Sequence, residues 1–150
     1  LKHIHAVYDL AKEQGDITDS SYEALEKRWK DENAERSEKV EKGEVIYGLK
    51  EYTFQLYLDY EISTLKEKYC NDTNREGMKL TEDEIQEHYQ SREWIFGDSD
   101  ENADLEMARI AVERELREQK YDDMITQRET GSQVAGNMEN VTRITLKNIQ

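Results

Sequence analysis

YTFQLYLDYEISTLKEKY, residues 52–69, is the stretch whose reading decides the fold. Its apolar side chains stand at Phe54, Leu58, Ile62, Leu65 and Tyr69. That spacing lays them down one side of an α-helix. Leu56, Tyr57 and Tyr60 widen the stripe, so this helix can touch neighbours on more than one side. It is the most apolar segment of a very polar chain, and a core can form only if other helices pack on it.

The rest of the composition agrees with that frame. The chain has 150 residues, 37% of them charged and 35% hydrophobic, with nine Tyr, two Trp and no Pro. A chain of this length is expected to make one domain, here a single helical domain over residues 1–150. Without proline, nothing interrupts long helices. The formal charge is −14. Such a chain repels nucleic acid and anionic lipid, which are bound mainly through Lys and Arg, and it favours basic partners. Cys70 stands alone, so no internal disulfide can form. Leu1 already sits in a helical pattern, from which a first helix continuing upstream is expected, with the N-terminal part of the fold missing.

Outward from the central stretch, residues 1–14 read as a helix with Leu1, Ile4, Tyr8 and Ala11 on one face and Val7 and Leu10 beside it, stopped by Gly15. Residues 20–42 read as a second helix, started by a Ser20–Glu23 capping box and anchored by Tyr22, Leu25 and Trp29. Beyond Lys30 its apolar residues are only Ala34 and Val40, while Glu32–Arg36, Glu35–Lys39 and Glu38–Lys42 are favourable i, i+4 pairs. That half reads as a helical arm running out over solvent to Gly43. Val45, Ile46 and Tyr47 form a short extended or turn segment, and Thr53 caps the central helix.

Residues 81–91 read as a shorter helix with a Thr81–Glu84 capping box and a Leu80–Ile85 staple. Trp94, Ile95 and Phe96 make an apolar knot before the loop GDSDEN. Residues 103–129 are the longest helix, with Leu105, Ala108, Val112 and Leu116 in one stripe and Ile110, Tyr121, Met124 and Ile125 extending it. Glycines in 130–136 are expected to break it, and alternation through Ile144 and Leu146 suggests a short extended C-terminal segment. The fold class expected is therefore all-α, an irregular domain of about five helices with a long projecting arm.

No chemistry announces itself. There is no Gly-rich phosphate loop and no nucleophile elbow, and one Cys with three scattered His cannot build a zinc site. His3 and His5 fall on nearly opposite sides of a helix, and His5 with Asp9 reads as a surface imidazole beside a carboxylate. Cys70 lies at a helix C-terminus, which disfavours a thiolate. No cofactor and no metal are expected.

Six segments in order carry a resemblance: AKEQGDI, SSYEALEKRWKDENAER, GEVIYG, EYTFQLYLDYEISTLKEKY, LTEDEIQEHYQ and REQKYDDMI. Together they resemble the helical chaperone domain of bacterial SurA/PrsA-like foldases, and more closely the secreted or lipoprotein relatives from Gram-positive bacteria. LTEDEIQEHYQ resembles the helix that leads into the isomerase module, and LREQKYDDMI resembles the closing helix. In that family a parvulin-type prolyl isomerase is often inserted between the two. Here only the twelve residues 91–102 lie between them. The resemblance thus implies the chaperone part without the enzyme, and so no catalysis.

Its further implications are an extracytoplasmic protein, secreted or lipid-anchored through a segment upstream of Leu1, whose partners are unfolded or exported polypeptides. A cradle lined by Tyr22, Trp29, Tyr57, Tyr60, Trp94, Phe96 and Met124 is the binding site expected. Most of these aromatics are equally suited to a core. The alternative is a helical structural or adaptor domain that forms a homodimer or binds one specific protein.

Overall fold

The apolar stripe of residues 52–69 does form a helix, and it is buried where the spacing requires. In the computed structural model, which describes residues 1–149 and side chains as far as Gly131, Leu58, Leu65 and Tyr69 are buried and Phe54 and Ile62 half-buried. The helices are α1 (Lys2–Glu13), α2 (Tyr22–Glu41), α3 (Phe54–Asn71), α4 (Glu82–Gln90) and α5 (Leu105–Ile149). There is no strand among the described residues. The chain divides into two compact units, Leu1–Leu65 and Lys66–Gln150, and the division falls inside α3.

In the first unit, α1 buries Ala6, Val7, Tyr8, Leu10 and Ala11, one amphipathic face. It ends before Gly15, whose φ of 79° is the left-handed turn that glycine adopts cheaply. α2 is capped by Ser21, which accepts a hydrogen bond from Ala24 N at 3.2 Å. The cap is one residue later than the Ser20–Glu23 box expected, because Asp19 Oδ1 accepts from Ser21 N at 2.8 Å and draws Ser21 into the capping position. All three expected acid–base pairs on the second half of α2 are formed. Thr53 caps α3 through Leu56 N at 3.3 Å.

In the second unit the Thr81–Glu84 capping box is complete and starts α4. Ile85, Trp94, Ala108 and Val112 form a buried cluster, against which Leu80, Tyr89, Ala103 and Leu105 pack. Ion pairs tie α4 to α5, Arg109 to Glu82 at 2.6 Å and Lys120 to Glu84 at 2.9 Å, and a hydrogen bond joins His88 to Glu115 at 2.8 Å. Arg117 Nε donates to Met78 O at 3.1 Å and pins the loop before α4.

Three expectations for the last helix are corrected. Ile110 does not extend the buried stripe; it is 75% exposed, on the side away from Ala108 and Val112. The break expected in 130–136 and the short extended segment expected over 141–148 both fall within α5. A glycine inside a helix costs only about 1 kcal/mol and no proline follows. Val134, Met138 and Val141 also recur at helical spacing, a period that the local alternation hid. The side chains of Ile144 and Leu146 lie outside the described residues.

Candidate functional site

The first unit turns an apolar edge outward, and the sequence shows why it is held there. The stripe Trp29, Asn33 and Arg36 runs along one face of α2 and bonds the backbone of the segment returning to α3. Trp29 Nε1 and Asn33 Nδ2 donate to Tyr52 O at 2.7 and 2.9 Å, and Tyr52 N donates to Asn33 Oδ1 at 2.8 Å. Arg36 Nη1 donates to Tyr47 O and Leu49 O, both at 2.8 Å, and its guanidinium lies over the Tyr52 ring. With these carbonyls turned to α2, Val45, Tyr47 and Leu49 project to solvent, Tyr47 with 87% of its surface exposed. The arm half of α2 is thus covered on one face by residues 47–52.

A tyrosine cluster continues this edge onto α3. Tyr52 stacks on Tyr60 with centroids 5.3 Å apart, and Tyr57 meets both rings at 6.2 Å. Tyr60 and Leu56, one turn apart, are exposed. Tyr22 is exposed at the start of α2, with Phe54 at 5.7 Å. Beside α2 a groove of about 300 Å³ is lined by Asn33, Ser37, Val40, Glu41, Lys50 and Glu51.

Beneath the cluster is a buried ion pair. Glu61, only 8% exposed, accepts from Arg28 Nη2 at 2.7 Å and Nε at 3.1 Å, and from the Tyr57 hydroxyl by a short bond. The buried Tyr8 hydroxyl lies by this pair with no hydrogen-bond partner, and its ring lies beneath Arg28. Burial, then the Glu61 charge, pushes the Tyr8 hydroxyl far up; burial, then the bond to Glu61, does the same for Tyr57.

The second unit places its expected site residues differently. Trp94 is fully buried: its indole N–H donates to Tyr89 O at 2.9 Å and Arg92 covers its ring at 3.6 Å. Phe96, two residues on, is exposed with Ile95. Met124 is half-buried and its sulfur meets the Tyr69 hydroxyl at 4.0 Å. A groove of about 460 Å³ is lined by charged and polar groups, among them His88, Arg92, Glu115 and Asp122. Arg92, then His88, holds the Glu115 carboxyl below the usual range against some burial. No three His, Cys, Asp or Glu side chains that could hold a metal ion cluster among the described residues. No helix among them is long and apolar enough to cross a membrane.

The structure therefore brings Tyr22, Trp29, Tyr57 and Tyr60 into the first unit around Tyr52 and Phe54, and puts Trp94, Phe96 and Met124 in the second. Tyr57 and Trp94 face inward; Tyr22, Tyr60 and Phe96 face out.

The chain is similar to a chaperone. It is 30% identical over 128 residues to a protein of Bifidobacterium longum subsp. longum named chaperone for lacto-N-biosidase. The match covers 85% of this chain and 46% of that protein, so the chain spans about half the length of its relative. No family model matches the chain, and no solved structure matches it. The sequence reading missed Val45, Tyr47 and Leu49, the first two of them the most exposed members of the edge, for want of a helical period. The signal was present in the alternation of Val45, Tyr47 and Leu49, with Gly43 and Gly48, both at positive φ, on either side of Val45 and Tyr47.

Proposed function

We propose that this chain is the polypeptide-holding part of an extracytoplasmic chaperone, related to the SurA/PrsA-like foldases, that acts by contact and without catalysis. The observation that carries the reading is the apolar edge of residues 45–49, continued by Leu56 and Tyr60, that hydrogen bonds to α2 keep outside. In a chain so rich in charge, large apolar side chains fixed in water suit transient contact with apolar segments of another protein. Tyr52 and Tyr60 add broad, rigid contact area with little rotamer entropy to lose. The similarity to a chaperone supports the same reading, and it makes lacto-N-biosidase the first client to test.

The experiment is refolding of chemically denatured lacto-N-biosidase with the full chain present, followed by light scattering and recovered activity. Scattering should fall and recovery rise. Neither changing at severalfold molar excess would overturn the reading. Immunoblotting of medium and cell-surface fractions tests the compartment, and a wholly cytoplasmic signal would remove that part of it.

A further inference from the structure

The second unit carries an apolar surface of its own, formed by residues other than those that carry the reading above. The loop 95–102 is closed at its neck: Ala103 N donates to Trp94 O at 2.7 Å, Trp94 N donates to Asn102 Oδ1 at 2.6 Å, and the Tyr89 hydroxyl donates to Ala103 O at 2.7 Å. Trp94 is locked in the core by its indole bond and by Arg92. Ile95 and Phe96 follow that anchor directly and are both exposed. Just past the neck, Met107 and Ile110 stand one turn apart on α5, 73% and 75% exposed. They occupy the face opposite Ala108 and Val112, which are completely buried. The neck is fixed, the inner face of α5 is filled, and all four side chains are exposed.

The chain that carries Ile95, Phe96 and Met107 holds charge of one sign, and the nearest arginine on the outer face of α5 is Arg114, one turn beyond Ile110. Between Arg92 and Arg109 the sequence holds Glu93, Asp98, Asp100, Glu101, Asp104 and Glu106 and no Lys or Arg. None of the six is paired with a cation among the described residues. The two flanking arginines are committed elsewhere, Arg92 to Glu115 and Arg109 to Glu82. Asp104 also caps α5 through Met107 N at 2.9 Å.

We propose that this end of the second unit docks a client segment with an apolar centre and Lys or Arg flanks. The four apolar side chains take the centre and the unpaired carboxylates take the flanks. The proposal rests on the chaperone reading only in taking the occupant to be a polypeptide. A second copy of this chain is disfavoured, because a symmetric contact would bring both sets of carboxylates together. Anionic lipid and nucleic acid are repelled for the same reason.

The test uses the full chain and a fluorescent synthetic peptide with a leucine- and phenylalanine-rich centre and lysine flanks, followed by anisotropy. The same centre with glutamate flanks is the control. The lysine peptide should bind, more weakly as salt rises, and the glutamate peptide should bind about tenfold less well. Phe96→Ser with Ile110→Ser, both surface positions, should weaken binding about tenfold. Asp98→Asn with Asp100→Asn and Glu101→Gln should weaken it a few-fold and flatten the salt dependence. No binding to the unaltered chain, or binding that ignores both sets of substitutions, overturns the proposal. Circular dichroism of each variant shows that it has folded. If the peptide binds as described while client aggregation is not suppressed, the docking surface stands and the chaperone reading fails. If aggregation is suppressed but the peptide ignores these residues, the reverse holds.

Discussion

Glu61 is the buried charged residue of the first unit. It is a buried carboxylate matched by Arg28 and by Tyr57 of the tyrosine cluster. Replacing Glu61 with Gln keeps the shape but leaves the Arg28 guanidinium without its counter-charge. A fully buried pair broken in this way costs about 3–5 kcal/mol. Arg28 keeps 27% of its side chain exposed, so the loss should be nearer about 2 kcal/mol. The midpoint of urea unfolding should move down accordingly, and a midpoint unchanged from the parent would refute the role given to the pair. Cys70 offers a second test at this scale. Burial pushes its thiol up to about 11 from 9.0. The unfolded chain therefore releases this proton first. The stability linked to Cys70 is complete below pH 9.0 and is lost as pH rises through about 11. The buried hydroxyls of Tyr8 and Tyr57 shift in the same direction and steepen the fall. Cys70→Ala should shed its part of that alkaline decline, and native Cys70 should react with a thiol reagent far more slowly than in urea. Equal rates in the two states would contradict the burial.

At the scale of elements, the return segment is held by side chains of α2 and by little else in the hydrogen-bond pattern. Asn33→Ala with Arg36→Ala should free residues 44–52. Limited proteolysis should then cut that segment much faster, with most helical circular dichroism retained. An unchanged digestion pattern would mean that other contacts hold it. The helices themselves were legible in the sequence, because the period of α3, the Thr81–Glu84 box and the glycines at 15 and 43 are local signals. The fastening of residues 47–52 to α2 was not, since Trp29, Asn33 and Arg36 look like an anchor, a neutral polar residue and a salt-bridge partner until the chain folds back on them. Ile110 misled for a related reason: it is apolar but its angle around α5 belongs to the outer face. The far end of α5 was hidden by a short alternation and two glycines whose cost a helix can absorb.

For the molecule as a whole, the composition sets the problem. A chain at −14 keeps large apolar side chains outside in groups in both units, at 45–49 with Leu56 and Tyr60, and at 95–96 with Met107 and Ile110. The expected lining could be only partly read from the sequence. Aromatics at helical spacing serve a core and a binding surface alike, and only packing sends Tyr57 and Trp94 inward and Tyr22, Tyr60 and Phe96 outward. The most direct test compares the parent chain with Tyr47→Ser plus Leu49→Ser, both at exposed positions, in suppressing aggregation of a denatured client. The parent should suppress light scattering, and the double variant, equally stable in urea, should lose most of that effect. Equal suppression by the two, or none by either, would contradict the claim that this exposed edge holds other polypeptides.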